Sequence, residues 1–86
     1  MNPEIESAEY AGGYKIHIRF TDGMAGIVDL ENELWGEVFE PLKELAAFRQ
    51  FSIDPDFRTV CWPNGADLAP EFLYEAAAQQ VARADA

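Results

Sequence analysis

Residues 14–30 read YKIHIRFTDGMAGIVDL, and this stretch decides the fold. Its first part, residues 14–20, alternates strictly, which predicts a β-strand with one apolar face and one solvated face. The Thr21-Asp22-Gly23 triplet then predicts a hairpin loop that leads into a second strand over residues 24–30. The apolar face carries Tyr14, Ile16, Ile18 and Phe20, and the solvated face carries Lys15, His17 and Arg19. An antiparallel hairpin is therefore the centre of the predicted fold.

The register of this hairpin has two alternatives. A two-residue Asp-Gly loop would pair Ile16 with Asp29 and so place a carboxylate on the apolar face. A three-residue loop, with Gly23 in the left-handed conformation, pairs Ile16 with Val28 instead. The same register pairs Phe20 with Met24 and Tyr14 with Leu30. We predict the three-residue loop because it keeps every core position apolar.

The segments on either side of the hairpin add further elements. A strand over Ile5 to Tyr10 is expected to end at the Gly12-Gly13 pair. After the hairpin, residues 31–40 (ENELWGEVFE) form a short helical turn or a loop packed back on the sheet. Pro41 suits the first turn of a helix, whose apolar stripe consists of Leu42, Leu45, Ala46 and Phe48.

The C-terminal half repeats the alternation of strands and helix. Residues 50–54 and 58–62 predict two strands joined around Asp54-Pro55-Asp56, a composition typical of turns. Pro70 opens a last helix, whose packing side consists of Phe72, Leu73, Ala76, Ala77 and Val81. The sequence thus predicts an α+β fold in the order βββ-α-ββ-α, with a small antiparallel sheet of about five strands packed on two helices.

Length and composition limit the classes of function. The 86 residues correspond to one domain, residues 1–86, and 49% of them are apolar, which favours a folded chain. The formal net charge of −10 opposes direct nucleic-acid binding, because phosphate contacts depend on Lys and Arg. The sequence has no apolar run long enough for a membrane span, and its start, MNPEIESAEY, lacks the features of a signal peptide. We therefore expect a cytoplasmic protein with no membrane partner.

The residue types that commonly act in catalysis or metal binding form no recognisable site in this sequence. His17 is the only histidine, and between Lys15 and Arg19 we interpret it as an exposed strand residue. Cys61 is the only cysteine, and between Val60 and Trp62 it is typical of an inert packing residue. The carboxylates of residues 22–40 lack the spacing of a calcium loop. We therefore predict no catalytic residue, no metal site and no cofactor.

Two stretches are candidate recognition surfaces. Trp62, Asn64, Gly65 and Asp67 could form a recognition loop, but we favour a structural role in which Trp62 fills the core, Asn64-Gly65 makes the turn and Asp67 accepts N–H groups ahead of the last helix. The stripe of Lys15, His17 and Arg19 is either plain solvated sheet or a docking surface for a partner. The edge strands could also pair with a second copy of the chain, which would make a homodimer.

Three stretches resemble one known family. They are FTDGMAGIVDL at residues 20–30, Pro41-Leu42 with Phe48, and VCWPNGADLAPEFLYE at residues 60–75. They look like the bacterial family called domain of unknown function 2442, and the resemblance extends roughly over residues 14–75, with the run from Trp62 to Asp67 as its most specific part. It implies a small α+β fold with an antiparallel sheet, and it brings no established activity and no catalytic residues.

The resemblance also implies kinds of partner. Longer relatives carry an added helix-turn-helix domain, and small members are suspected of pairing with a second small protein in toxin–antitoxin-like arrangements. The 86 residues contain no such added domain, so we do not expect the DNA-binding role of the longer relatives.

Two hypotheses about function follow. The leading one is a noncatalytic protein-interaction domain, the acidic, antitoxin-like partner of a small two-protein bacterial module. The alternative is a small-ligand or metal-dependent enzyme whose site assembles across a homodimer, with carboxylates near Trp35 and the Trp62 loop as its parts. We favour the interaction domain over the enzyme.

Overall fold

The computed structural model describes residues 3–84, with side chains as far as Val81. Strands β1 (Ile5–Tyr10), β2 (Lys15–Phe20) and β3 (Ala25–Asp29) come first, and two 3-10 turns, Glu31–Glu33 and Glu40–Lys43, follow them. The chain then forms α1 (Leu45–Phe48), β4 (Ser52–Ile53), β5 (Val60–Cys61) and α2 (Pro70–Ala84). The α+β class predicted from the sequence is confirmed.

The register predicted for the β2–β3 hairpin is confirmed. Ile16 pairs with Val28, and the Phe20 N–H donates to the Met24 carbonyl at 2.8 Å. Gly23 has a φ of +92°, the left-handed conformation that a three-residue loop requires. Ile16, Ile18 and Phe20 are fully buried on one face of β2. The alternation of apolar residues therefore determined which face of the hairpin became core.

The prediction of one sheet with about five strands is wrong. The structure has a three-stranded sheet in the order β1-β2-β3 and a separate two-stranded sheet of β4 and β5. The Asp54 N–H continues the pairing of β4 with β5 by donating to the Thr59 carbonyl at 2.8 Å. The other edge of β5 is used by a later segment, because the Leu68 N–H donates to the Val60 carbonyl at 3.2 Å. Within the two short strands, Ser52 pairs with Cys61 and Ile53 pairs with Val60.

The prediction of one helix beginning at Pro41 is also wrong. Glu44 is extended, with φ −71° and ψ 117°, so that the chain forms a 3-10 turn, breaks, and restarts as the four-residue α1. Leu42 and Phe48 are buried as expected, but Leu45 is 44% exposed and Ala46 is exposed too. The break at Glu44 changes the helical phase, which turns these two residues of the predicted stripe towards solvent.

Helix α2 covers one face of the three-stranded sheet. It begins at Pro70, as predicted, and buries Leu73 and Ala77 against the sheet. A Cβ atom at Gly26 would lie 2.9 Å from the Ala77 carbonyl oxygen, so β3 and α2 pack at a distance that only glycine allows. Phe72, expected on the packing side, is 38% exposed instead, and Tyr74 packs its ring on Phe20 with centroids 4.9 Å apart.

The buried apolar residues form one cluster that includes side chains from both sheets, from α1 and from α2. Ile5 of β1, Phe48 of α1, Val60 of β5 and Leu73 of α2 are all fully buried in it. No helix in the described part of the chain is both long enough and apolar enough to cross a membrane.

Candidate functional site

The face of the three-stranded sheet opposite α2 is open to solvent. We call it the open face; its residues are Ser7, Glu9, Lys15, His17, Arg19, Ala25, Ile27 and Asp29, and each of them is exposed or half-buried. His17 lies at the centre, opposite Glu9 on one side and Ile27 on the other. The structure thus brings the three residues of the predicted basic stripe together on one uncovered surface.

The cations of the open face have no ion-pair partner in the part of the chain that the structure describes. Among the residues that the structure describes, the salt bridges are Lys43 with Glu40 at 3.1 Å and Arg58 with Glu4 at 3.6 Å. Lys15 lies opposite Asp29 across the strands, yet no salt bridge forms between them. The charges of Lys15 and Arg19 are therefore available to a group outside the chain.

The Trp62 loop has one buried residue and a framework of hydrogen bonds. The Trp62 side chain is 3% exposed, and its indole N–H donates to the Phe48 carbonyl oxygen at 2.8 Å. Gly65 has a φ of +92°, and the Asn64 side-chain oxygen accepts the Ala66 N–H at 3.1 Å. An indole in this position offers almost no surface to a partner, and Asn64 with Gly65 closes the turn.

Asp67 differs from its expected role. α2 begins at Pro70, so Asp67 lies too far ahead of the helix to cap it. In the described residues its carboxylate makes no hydrogen bond, and its backbone forms an isolated bridge with Cys61. Asp67 therefore ends the short β5 ladder by its main chain and leaves its side chain exposed.

A second surface lies beside the Trp62 loop, in the region that the alternative hypothesis named by its carboxylates near Trp35 and the Trp62 loop. A cleft of about 120 Å³ opens there, and its lining residues are Pro41, Leu42, Ala47, Gln50, Trp62, Pro63 and Asn64. The Asn64 side-chain amide donates to the Val38 carbonyl at 2.8 Å, which fixes the turn of residues 35–39 next to the cleft. Trp35 in this turn is 70% exposed and Val38 is exposed too. Of the two alternatives for residues 31–40, the short helical turn is present at Glu31–Glu33, and these two side chains do not pack back on the sheet. The sequence feature that indicates this surface is the proximity of Trp35 to several glutamates.

The residues that could ligate a metal stay apart. In residues 3–84, no three His, Cys, Asp or Glu side chains come together in a way that could hold a metal ion. Cys61 is half-buried, with its Sγ 3.7 Å from the Ser52 hydroxyl, and His17 lies on the other sheet. One chain therefore assembles no thiol–imidazole pair.

One exposed hydrogen bond links the hairpin loop to α2. The Tyr74 hydroxyl donates to Asp22 Oδ2 at 2.7 Å, and Asp22 Oδ1 accepts the Met24 N–H at 3.0 Å. The bond from Tyr74, and then that from Met24, lowers the pKa of the Asp22 carboxyl below its ordinary value. The same bond to Asp22 raises the pKa of Tyr74. This pair belongs neither to the open face nor to the lining of the cleft, and it links the hairpin loop to the helix.

The fold and these surfaces define the class: a small α+β domain whose sheet is covered by a helix on one face and open on the other. Residues 5–79 match the model of the family described as Protein of unknown function (DUF2442), and the chain belongs to that family. The resemblance noted in residues 20–30 and 60–75 is thereby confirmed. No curated protein and no solved structure matches the chain significantly.

Proposed function

We propose that this protein is a noncatalytic protein-interaction domain, the acidic and antitoxin-like member of a small two-protein bacterial module in the cytoplasm. The observation that carries the proposal is the open face. Lys15 and Arg19 lie there with no ion-pair partner among the described residues, and Ile27 adds an apolar side chain that is 37% exposed. Protein interfaces combine apolar contacts with a polar margin, and the open face offers both kinds of group.

The net charge supports a protein partner over a nucleic acid. A formal charge of −10 repels phosphate backbones, whereas it speeds the encounter with a basic protein. The basic stripe of the open face is a local exception on this acidic chain, and an exception of this kind helps to orient a partner.

The outer edge of β3 and the net charge favour a different protein over a second copy as the partner. The outer edge of β3 is engaged at its centre, because the Ile27 N–H donates to the Gln80 side-chain oxygen at 3.1 Å. Pairing of two β3 edges would break this bond in both copies. Two copies would also each carry a charge of −10. The proposal is therefore a complex of two different chains that uses the face of the sheet.

The test is affinity capture from native cytosol with tagged protein, followed by reconstitution of the complex from purified components. Wild type is compared with Lys15→Glu combined with Arg19→Glu, and the control is Arg49→Glu combined with Arg58→Glu, which makes the same charge change at exposed sites elsewhere. We expect a stoichiometric partner that is lost only in the open-face variant. Equal loss in both variants, or demonstrated substrate turnover that one point change abolishes, would contradict the proposal.

A further inference from the structure

We propose that the cleft beside the Trp62 loop is a second docking site, and that its occupant is a cationic polypeptide segment carrying one apolar side chain. We call this site the acidic cleft; it consists of the cleft-lining residues and the adjoining turn of residues 35–39. The inference rests on the proposed function, because it specifies the chemistry of the partner.

The interior of the acidic cleft suits an aliphatic side chain. Its walls include Pro41, Leu42 and Ala47, and its volume is about 120 Å³. Cavities of ~150 Å³ lined by apolar groups hold a molecule of benzene, so this space is close to the size of one leucine side chain. Gln50 and Asn64 supply polar atoms at the margin. An apolar anchor can therefore enter while its own backbone stays in contact with polar groups.

The adjoining turn presents an unusual amount of apolar surface. Trp35 is 70% exposed and Val38 is 47% exposed, although the core of this small domain takes in most of its other large apolar side chains. The hydrogen bond from Asn64 to the Val38 carbonyl holds this turn against the cleft. Tryptophan is among the residues most enriched where binding energy concentrates in interfaces. An exposed tryptophan on a fixed turn is thus a ready contact for a partner.

The charge around the acidic cleft specifies the sign of the partner's charge. Residues 31–44 contain five glutamates, all exposed, and one lysine. That lysine, Lys43, is already paired with Glu40 at 3.1 Å. A negative potential of this kind attracts Lys and Arg side chains and disfavours both nucleic acid and a second copy of this chain. The partner that complements this charge is a basic segment. Because the interior of the cleft is apolar, the segment must also carry an aliphatic residue.

The test uses isotope-labelled protein, amide NMR spectra and three synthetic peptides of equal length. The first peptide has one leucine flanked by arginines and lysines, the second has serine in place of the leucine, and the third has glutamates in place of the cations. We expect the first peptide to shift the signals of residues 35–50, of Asn64 and of the Trp35 indole N–H. It should bind about tenfold more tightly than the serine peptide, and the glutamate peptide should not bind.

Variants then separate the acidic cleft from general charge attraction. Trp35→Ala should weaken the first peptide about tenfold, since an exposed tryptophan contributes contacts and not stability. Glu37→Lys with Glu44→Lys should weaken it more than Glu71→Lys with Glu75→Lys, which makes the same charge change on α2. Equal effects of the two charge pairs, binding that ignores the leucine, or no binding at all would overturn the inference.

The outcome for the acidic cleft can be distinguished from that for the proposed function. If the Trp35→Ala variant captures the same cytosolic partner to the same extent as wild type does, the inference about the acidic cleft is overturned and the proposed interaction function is not affected. Peptide binding with the expected pattern supports the acidic cleft whatever the outcome for the open face. If the Lys15→Glu, Arg19→Glu variant retains every captured protein, that result counts against the open face alone.

Discussion

The indole N–H of Trp62 donates to the carbonyl oxygen of Phe48 at 2.8 Å, and this buried bond joins the end of α1 to the end of β5. The two rings also pack, with centroids 5.9 Å apart. Trp62 is also one of the residues that line the acidic cleft. The geometry of the surface therefore depends on a bond in the core.

Replacing Trp62 by phenylalanine should destabilise the protein strongly. The change removes the only donor that the Trp62 side chain offers and leaves the Phe48 carbonyl without it, which costs about 1–3 kcal/mol before the lost packing is added. The measurement is urea unfolding followed by circular dichroism. Trp35→Phe is the matched control, since Trp35 is 70% exposed, and it should change the free energy of unfolding by less than ~0.5 kcal/mol. Equal effects of the two changes would contradict the assignment of Trp62 to the core.

Replacing Gly26 by alanine should push α2 away from β3. The new methyl group would lie 2.9 Å from the Ala77 carbonyl oxygen, which is backbone and cannot rotate away. Overpacking of this kind costs about 1–3 kcal/mol of the free energy of unfolding. Ala25→Ser adds one heavy atom on the open face of the same strand and serves as the control. The expected result is a lower midpoint in thermal unfolding for Gly26→Ala alone; a midpoint equal to that of the control would show that the helix has room to move.

Replacing Gln80 by alanine should expose the edge of β3. The Ile27 N–H loses its acceptor, which costs about 0.5–1.5 kcal/mol, and an unpaired strand edge favours pairing between molecules. Sedimentation velocity should therefore detect self-association of Gln80→Ala that rises with protein concentration. Gln79→Ala changes the neighbouring exposed glutamine, and this variant should self-associate no more than wild type does. Association of both variants to the same degree would argue that the edge is not the cause.

The bond between Tyr74 and Asp22 should make stability depend on pH in a defined direction. The pKa of Asp22 is lowered in the folded state, so its contribution is complete above the ordinary aspartate pKa and is lost as the pH falls through the folded value. The pKa of Tyr74 is raised, so its contribution is complete below the ordinary tyrosine pKa and is lost as the pH rises through the raised value.

Tyr74→Phe tests this dependence. Without the phenol, the pKa of Asp22 should return towards its ordinary value, and the variant should lose less stability than wild type as the pH falls below ~4. NMR titration of the Asp22 carboxyl and thermal unfolding over an acidic pH series provide the two measurements. Parallel curves for wild type and Tyr74→Phe, together with an unchanged Asp22 titration, would contradict the prediction.

The parts of the fold that local sequence patterns describe were predicted well. The alternation of residues 14–20 and the loop at Gly23 were enough to predict the β2–β3 register, because a slip by one residue would place Asp29 on the core face. Pro70 likewise marked the start of α2, because its ring suits the first turn of a helix.

The parts that failed depend on competition between local pattern and tertiary contacts. The stripe after Pro41 has helical spacing, yet Glu44 is extended, so that Leu42 and Phe48 are both buried from separate short turns. The residues predicted as the fourth and fifth strands form a separate sheet, and the outer edge of β5 is bonded by a later segment, since the Leu68 N–H donates to the Val60 carbonyl. Propensity alone cannot weigh these alternatives.

By itself, the sequence determined the fold class, the register of the central hairpin and the basic character of one strand face, because each follows from neighbouring residues and the alternation of a strand. Only the tertiary structure decided that α2 covers the opposite face and leaves Lys15, His17 and Arg19 exposed or half-exposed. It also created the acidic cleft, where residues 41–50 meet residues 62–64 and where Asn64 bonds to Val38 across 26 positions of the chain. A surface assembled from distant segments has no local pattern, since its geometry arises only when the core brings those segments together.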